Sequence, residues 1–270
     1  MKKFHNSILT KVFILAGIVL MLILLVPLVN TLISVDPATF FKLFSDQQVL
    51  DSMQLTFSCA LVAVLIGFLT AVPMGYLLAR YQFPGRDLLQ ALINLPVIIP
   101  HTAAGVALLL VFGRNGIFGQ LFANIGITFT DRPAGIVVGM LFVSVTFLVN
   151  ASREAFAGVD REMEQASWVD GANHWQMFYY ITLPQSWRGI TSGALMMWAR
   201  GVSEFGAVVI LAYHPKIMPV LVFERFQGFG LSAALPVTVF LILVSLIIFV
   251  CVSFFISEEK RRQLKGYNKH

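Results

Sequence analysis

Charged residues are scarce in this chain of 270 residues. They make up 12% of it, whereas hydrophobic residues make up 57%, and the mean hydropathy is +0.80. A soluble domain contains about 25% charged and about 45–50% apolar residues. The composition therefore excludes an ordinary soluble protein. The apolar stretches also lack the period-two alternation of a membrane β-barrel, which leaves helical membrane proteins as the predicted class.

Motifs that carry chemistry are also missing. Cys59 and Cys251 are the two cysteines, and both lie in apolar stretches, which indicates packing residues and not a disulfide or a metal site. The sequence has no HExxH motif, no cluster of cysteine and histidine, and no GxxxxGK(S/T) phosphate loop. His101, beside Pro100, is expected to be a polar lining or packing residue. We therefore expect no catalytic residue, no cofactor and no metal, and a protein that is not itself an enzyme.

Long apolar stretches are what the chain has instead. Six of them reach the about 20 residues that a bilayer crossing needs, and they must be helical because hydrocarbon cannot satisfy exposed backbone groups. The first is too long for the apolar region of a signal peptide, and no small-x-small cleavage site follows it, so we expect it to be retained. A short interfacial helix is expected within residues 113–132 and an outer loop at residues 213–230. The predicted spans are residues 12–33, 55–79, 88–112, 134–151, 189–213 and 231–256.

Lysine and arginine are distributed unevenly among the loops, and this predicts the orientation. With the N-terminus inside, the inner segments hold thirteen basic residues and the outer segments five. Because Lys and Arg mark the cytoplasmic side, both termini and residues 153–188 are predicted to be cytoplasmic. Inner-face anchors also explain most of the net charge of +5, so no nucleic-acid partner is expected beside membrane lipid. The inner residues are Lys2, Lys3, Lys11, Arg80, Arg86, Arg153, Arg161, Arg188, Lys260, Arg261, Arg262, Lys265 and Lys269.

One polar stretch separates the fourth and fifth spans, and it reads EQASWVDGANHWQMFYYITLP over residues 164–184. A helix-forming run stops at Gly171, which can adopt the left-handed conformation that ends a helix. A second amphipathic run follows and is expected to end at Leu183 and Pro184. Two short helices held between two spans form a rigid projection for a protein partner, with Trp168 or Trp175 as an anchor. The alternative is an interfacial amphipathic helix with no partner, which gives no reason for the spacing from Gly171 to Pro184.

This stretch resembles the EAA loop of binding-protein-dependent ABC importer permeases. The family pattern is Glu-Ala-Ala, three residues, Gly, nine residues and Ile-x-Leu-Pro, and its second half matches from Gly171 onward. Counting back from that glycine, the first motif position falls on Gln165, while Glu164 stands one place earlier. Either residue is therefore open as the motif glutamate. The residues assigned to the coupling loop are Glu164, Gln165, Ala166, Ser167, Trp168, Gly171, Ala172, Leu183 and Pro184.

The resemblance implies a fold and a set of partners. The fold is the six-helix type I ABC importer permease (MetI-like) fold, with residues 1–50 as a first helix and connector, residues 51–257 as the permease domain and residues 258–270 as a basic cytoplasmic tail. The partners are two copies of a cytoplasmic ABC ATPase subunit, a second copy of the permease and an extracytoplasmic oxyanion-binding protein. The implied location is a cell (plasma or inner) membrane.

Polar residues and prolines inside the spans are candidates for the translocation path. Arg200 and Glu204 are four apart in the fifth predicted span, which places them on one helix face. Charges at membrane depth are costly and usually pair, so the two residues are either a gate or a structural ion pair. Pro96 and Pro100 open or kink the third predicted span, as in helices that line transport paths.

The segment WARGVSEFGAVVILA resembles the AR-x-x-GEFG signature of permeases for molybdate, tungstate and sulfate, with Ser203 where glycine is usual. The resemblance implies import of molybdate or tungstate along a weakly binding path, with sulfate or thiosulfate as the alternative. A channel or secondary transporter without an ATPase is a different class, for which only Arg200 and Glu204 could serve ion coupling. An intramembrane enzyme would have to use Ser203 beside Glu204.

Overall fold

The computed structural model describes residues 8–267, with side chains to residue 254. The predicted anchors Lys2 and Lys3 and the side chains of the basic tail lie outside the described part. Within residues 8–267 the ordered elements are helices, apart from turns and short connections. In chain order they are α1 (Ile8–Ile33), α2 (Pro37–Lys42), α3 (Gln47–Arg80), α4 (Arg86–Ile98), α5 (His101–Phe112), α6 (Ile117–Ala123), α7 (Pro133–Ala157), α8 (Arg161–Val169), α9 (His174–Met177), α10 (Leu183–Val202), α11 (Gly206–Leu211), α12 (Met218–Phe229) and α13 (Leu231–Tyr267).

The centre of the molecule is a bundle of α3, α7 and α10. Small residues let these helices approach closely. A Cβ atom at Gly75 would lie 2.6 Å from Cβ of Ser152, and one at Gly193 would lie 2.4 Å from Cβ of Ala151. Close approach of this kind is typical of helix packing in lipid, where dispersion and not the hydrophobic effect joins the helices.

Four described helices are long and apolar enough to cross a membrane, namely α1, α3, α7 and the apolar part of α13. The third predicted span is broken: α4 and α5 meet at an angle of 113°, and they make a fifth span only if the bent pair is counted as one. Pro100 lies at the break as the N-cap of α5. The fifth predicted span is likewise interrupted, because α10 ends at Val202 and α11 begins at Gly206. The count of six and the sides of the termini therefore stay predictions.

Two local predictions were wrong. Leu183 and Pro184 do not end the helix of the polar stretch, since α9 continues through a π-helical segment, Phe178–Thr182, into α10. Proline is tolerated in the first turn of a helix, where its missing N–H costs little. The predicted outer loop at residues 213–230 contains a helix of 12 residues, α12, which begins with Pro219 in its first turn. The predicted short outer helix is present as α6.

Candidate functional site

The polar stretch contains two short helices, α8 and α9, joined at Gly171, and we call this unit the projection. Asp160 caps α8, because its carboxylate accepts a hydrogen bond from the Glu162 amide at 2.9 Å. At the other end Gly171 has a φ of +87°, and the Ala172 amide donates to the carbonyl of Ser167 at 2.9 Å. This six-to-one bond is the Schellman ending of a helix. Asn173 and Gln176 then form a capping box that starts α9.

Glu164 joins the projection to the membrane helices. Its Oε1 atom lies 2.8 Å from Nη2 of Arg80, the last residue of α3, and both side chains are buried. The same oxygen accepts a hydrogen bond of 2.6 Å from the hydroxyl of Thr182, immediately before α10. Ser167, also buried, donates to the Glu164 carbonyl at 2.7 Å. Gln165 is exposed, so Glu164 is the residue of the two that ties α8 to α3 and α10.

The surface of the projection carries exposed apolar side chains. Val169 is 88% and Trp175 is 70% exposed, and Trp168 is 46% exposed with its ring edge-to-face against His174. Ala166 and Pro184 are exposed as well. A cluster of large apolar residues on a polar segment is typical of a surface that a partner covers.

A second group of polar residues lies where the two broken helices meet, and we call it the path cluster: His101, Arg200, Ser203 and Glu204. Glu204 is fully buried, and its Oε2 lies 2.8 Å from Nδ1 of His101 and 3.0 Å from Nη2 of Arg200. Its Oε1 accepts a hydrogen bond of 2.8 Å from the Ala207 amide, which caps α11. One carboxylate thus binds the first residue of α5, the last turn of α10 and the first turn of α11.

Glycine allows this junction to form. A Cβ atom at Gly206 would lie 2.7 Å from Cβ of His101, and one at Gly105 would lie 3.0 Å from Cα of Ala207, so only glycine lets α5 and α11 come together. Arg200 and Glu204 do pair, but Glu204 lies after the end of α10 and not on its face as the spacing predicts. The helix breaks after Val202 because the Glu204 carboxylate accepts a hydrogen bond from the Ala207 amide of α11. Glu204 therefore does not continue the turns of α10.

The structure places the other predicted path residues near this junction. Pro96 is buried inside α4, and Pro100 precedes His101. Ser203 is exposed, its hydroxyl donates to the Arg200 carbonyl at 3.0 Å, and Arg200 Nη1 donates to that hydroxyl at 3.3 Å. Glu204 offsets the charge of Arg200, so the pair itself carries no net charge.

Sequence reasoning missed three residues of these sites. Arg80 counted only as an inner-face anchor, Thr182 had no assigned role, and His101 was expected merely to line or pack. Their partners are 84, 18 and 103 positions away in the chain. The one available signal was residue type, since a basic residue at the end of a span and a histidine at a break are both potential carboxylate partners.

Outside the predicted spans, ion pairs fasten α12 to its neighbours. Lys216 lies 2.7 Å from Glu224, and Arg225 lies 2.6 Å from Asp46 at the start of α3. The hydrogen bond from Lys216 holds the pKa of the Glu224 carboxyl below its ordinary value, and Glu224 also accepts a hydrogen bond of 3.0 Å from the Tyr213 hydroxyl. For the described residues, no group of three or more His, Cys, Asp or Glu side chains could hold a metal ion.

Comparison with known proteins gives concordant matches. Residues 63–258 match the family model described as "Binding-protein-dependent transport system inner membrane component". The chain is 38% identical over 224 residues to the molybdate/tungstate transport system permease protein WtpB of Thermococcus kodakarensis, covering 83% of this chain and 85% of the relative. It is 40% identical over 205 residues to the WtpB protein of Pyrococcus furiosus, covering 76% and 77%.

More distant matches agree in fold. The sulfate transport system permease protein CysT of Escherichia coli is 31% identical over 248 residues, covering 89% of this chain and 90% of that protein. The crystal structure of a bacterial alginate ABC transporter in complex with alginate pentasaccharide-bound periplasmic protein superposes with a TM-score of 0.73 at 19% identity, covering 90% of this chain and 92% of that one.

Proposed function

The chain belongs to the family of binding-protein-dependent transport system inner membrane components, and on that basis we propose that it is the permease subunit of an importer for molybdate or tungstate. An external binding protein delivers the oxyanion, and a separate cytoplasmic ATPase drives its passage. The observation that carries the proposal is the identity of 38–40% to molybdate/tungstate permeases over most of the chain. The capped projection at Gly171, which such a motor requires, supports it.

The residues of the coupling loop divide into two roles. Trp168 and Trp175 face outward and dock in the ATPase, while Glu164 faces inward and bonds Arg80 and Thr182. When two ATPase subunits close on ATP, each pulls its α8, and the buried ion pair transmits that displacement to α3 and α10. The chain acts as a pair with a second copy, so that two permeases with two ATPases form the path between them.

The path cluster forms the narrow part of the route in this proposal. In this cluster the Glu204 carboxylate joins the ends of α5, α10 and α11. The junction therefore changes shape when α10 moves against α5. It supplies little net charge, because Glu204 offsets Arg200. An importer gains from this weakness, since a tightly bound ion would leave slowly. Selectivity among oxyanions then resides mostly in the binding protein.

Reconstitution tests the proposal. We expect proteoliposomes with permease, ATPase and molybdate-loaded binding protein to accumulate molybdate only when ATP is present on the ATPase side. Omission of either the ATPase or the binding protein should abolish uptake. Accumulation by the permease alone would contradict the proposal and assign the chain to channels or secondary transporters.

Sulfate or thiosulfate import is the second candidate, favoured by the 31% identity to a sulfate permease. The two substrates are tetrahedral divalent oxyanions, so the permease residues described here fit either of them. Competition distinguishes them: the binding protein that stimulates this complex should retain molybdate or tungstate in the presence of excess sulfate. Retention of sulfate alone would establish the second candidate.

A further inference from the structure

A mostly apolar cavity that contains several polar groups opens on the side of the molecule where α4, α7 and α10 meet. Its volume is about 570 Å³, and we call it the inner cavity. Asn94 of α4, Asn150 and Glu154 of α7, and Ser192 of α10 contribute its polar groups, and Phe147 and Met196 are among its apolar walls. None of these residues belongs to the coupling loop's docking surface or to the path cluster.

A directional chain of amides leads into this cavity. Gln90 Nε2 donates to Asn150 Oδ1 at 2.8 Å, and Asn150 Nδ2 donates to Asn94 Oδ1 at 2.9 Å. The carbonyl oxygens of Asn150 and Asn94 are thereby occupied, whereas that of Gln90 is buried without a partner among the described residues. The chain ends in the Asn94 NH₂ group, which donates to no described residue. The Ser192 hydroxyl likewise forms no hydrogen bond to a described residue, and Ser192 is exposed. The cavity therefore presents unused neutral donors.

The depth of these groups decides what they face. Asn94 lies eight residues into α4 and Asn150 seven residues from the end of α7, which is about 10–12 Å of helix from the inner ends. At that depth unpaired polar groups cannot face hydrocarbon without a large free-energy penalty. They must face water or another protein surface. The exposed side of α3 is different in kind, since Leu65 and Leu69, about 16–22 Å of helix from the end of α3 at Arg80, are apolar.

Building on the proposed function, we propose that the inner cavity is a transient oxyanion site in the cytoplasmic half of the path. Asn94 Nδ2 and Ser192 Oγ donate hydrogen bonds to the oxygens of the ion. Neutral donors bind a divalent anion far more weakly than arginine does, so the ion pauses there without being trapped. Glu154 at the same cavity is mostly exposed, and its carboxylate repels the ion, which keeps the site's occupancy low and favours release.

Cysteine accessibility in the complete permease–ATPase complex tests this inference. In a Cys59→Ala, Cys251→Ala background, we compare Val97→Cys and Met196→Cys, which line the inner cavity and leave its donors intact, with Leu69→Cys, a control that is 79% exposed on the apolar side of α3. The probe is a negatively charged, water-soluble methanethiosulfonate. Because a thiol in hydrocarbon forms no reactive thiolate, we expect the two cavity positions to react about ten-fold faster or more than the control. Millimolar molybdate should slow both reactions, whereas chloride at equal ionic strength should not.

The outcomes separate this inference from the proposed function. Labelling of positions 97 and 196 no faster than that of position 69 would show that the cavity is dry, and the inference would be overturned. Fast labelling that molybdate, tungstate and sulfate all fail to slow would show a water-filled cavity with no anion site, and would overturn it too. ATP-dependent molybdate uptake by the unsubstituted complex is measured in parallel. Its absence counts against the proposed function, whereas protection of the cysteines by an oxyanion would still support the site.

Discussion

Arg80 and Glu164 form the contact on which coupling depends at the scale of single residues. Both side chains are only 8% exposed, so removal of one partner leaves a buried charge unpaired, at a cost of about 3–5 kcal/mol. We expect Arg80→Gln to lower the unfolding free energy of the detergent-solubilised permease by that amount. We also expect it to abolish the stimulation of ATP hydrolysis by loaded binding protein, because α8 is then no longer tied to α3.

Two further variants make the coupling prediction specific. The exchange Arg80→Glu with Glu164→Arg keeps both charges and should recover part of the lost stimulation. Arg153→Gln is the control, because its contact with Glu154 is long, at 3.9 Å, and the two side chains are 33% and 76% exposed. Ion pairs that reach the surface in this way are worth about 0–1 kcal/mol. If Arg80→Gln retained full stimulation, α8 would have to transmit its motion through other contacts.

Glu204 decides between a gate and a structural ion pair. Glu204→Gln leaves Arg200 without its counter-charge and His101 without its carboxylate partner, so we expect the protein to lose about 3–5 kcal/mol of stability. Replacing both charges by apolar residues, Arg200→Met with Glu204→Leu, is often neutral for stability. Because the Ala207 amide and His101 also lose their carboxylate partner here, we expect the double variant to unfold below the temperature of the parent but above that of Glu204→Gln. We expect it to import molybdate at least ten-fold more slowly.

Thermal unfolding and uptake by the same preparations check this prediction. Recovery of both properties in the double variant would identify the pair as merely structural. The sequence could predict that Arg200 and Glu204 pair, because charge at membrane depth requires a partner. It could not predict His101 as the third member, since nothing local indicates which of the other spans would pack beside Glu204.

At the scale of elements, the end of α8 depends on the conformation of one residue. Gly171 has a φ of +87°, and no atom lies within 4 Å of a Cβ placed there, so substitution causes backbone strain but no clash. A β-branched residue in this region costs roughly 1–2 kcal/mol, whereas asparagine tolerates it. We therefore expect Gly171→Val to impair ATP-driven uptake while membrane insertion is preserved.

Gly171→Asn is the matched control for this prediction, and it should retain most of the uptake. If both variants lost the same share of uptake, the added side chain at position 171 would be what disturbs the contact with the ATPase, and not the backbone conformation. Gly85 offers a second comparison, because it also has a positive φ, of +85°, but lies in the turn before α4. A substitution there should lower stability without changing the coupling of ATP hydrolysis to uptake.

The elements show where sequence reasoning succeeds and where it fails. Strong local signals, such as the left-handed glycine after α8 and Pro100 at the break, were enough to locate helix ends. Pro184 and the segment at 213–230 were misjudged, because proline in a first turn and proline as a helix breaker look alike in sequence. The break before Gly206 has no local proline. It exists because the Glu204 carboxylate bonds the Ala207 amide, which only the packed structure reveals.

For the whole molecule, hydropathy was sufficient to predict an all-helical membrane protein, because hydrocarbon allows few alternatives. The number of spans was harder to predict, because two predicted spans are each broken into two helices, α4 with α5 and α10 with α11. In addition, α10 carries the charged residues Arg188 and Arg200. Orientation rests on the distribution of basic residues alone. It is also the property on which the coupling mechanism depends, because an ATPase reaches only the cytoplasmic side.

Site-directed labelling of whole cells tests this orientation. In the cysteine-free background, Val169→Cys places a thiol at the highly exposed end of α8, and Asn124→Cys places one at the exposed end of α6. Because thirteen basic residues flank the predicted inner ends and five the outer ends, we expect the two positions to lie on opposite sides. A membrane-impermeant maleimide that has access only to the outer surface of the membrane should label position 124 at once and position 169 only after permeabilisation. The reverse pattern would put the projection outside, where no ATP-driven subunit could pull it, and the permease mechanism would have to be abandoned.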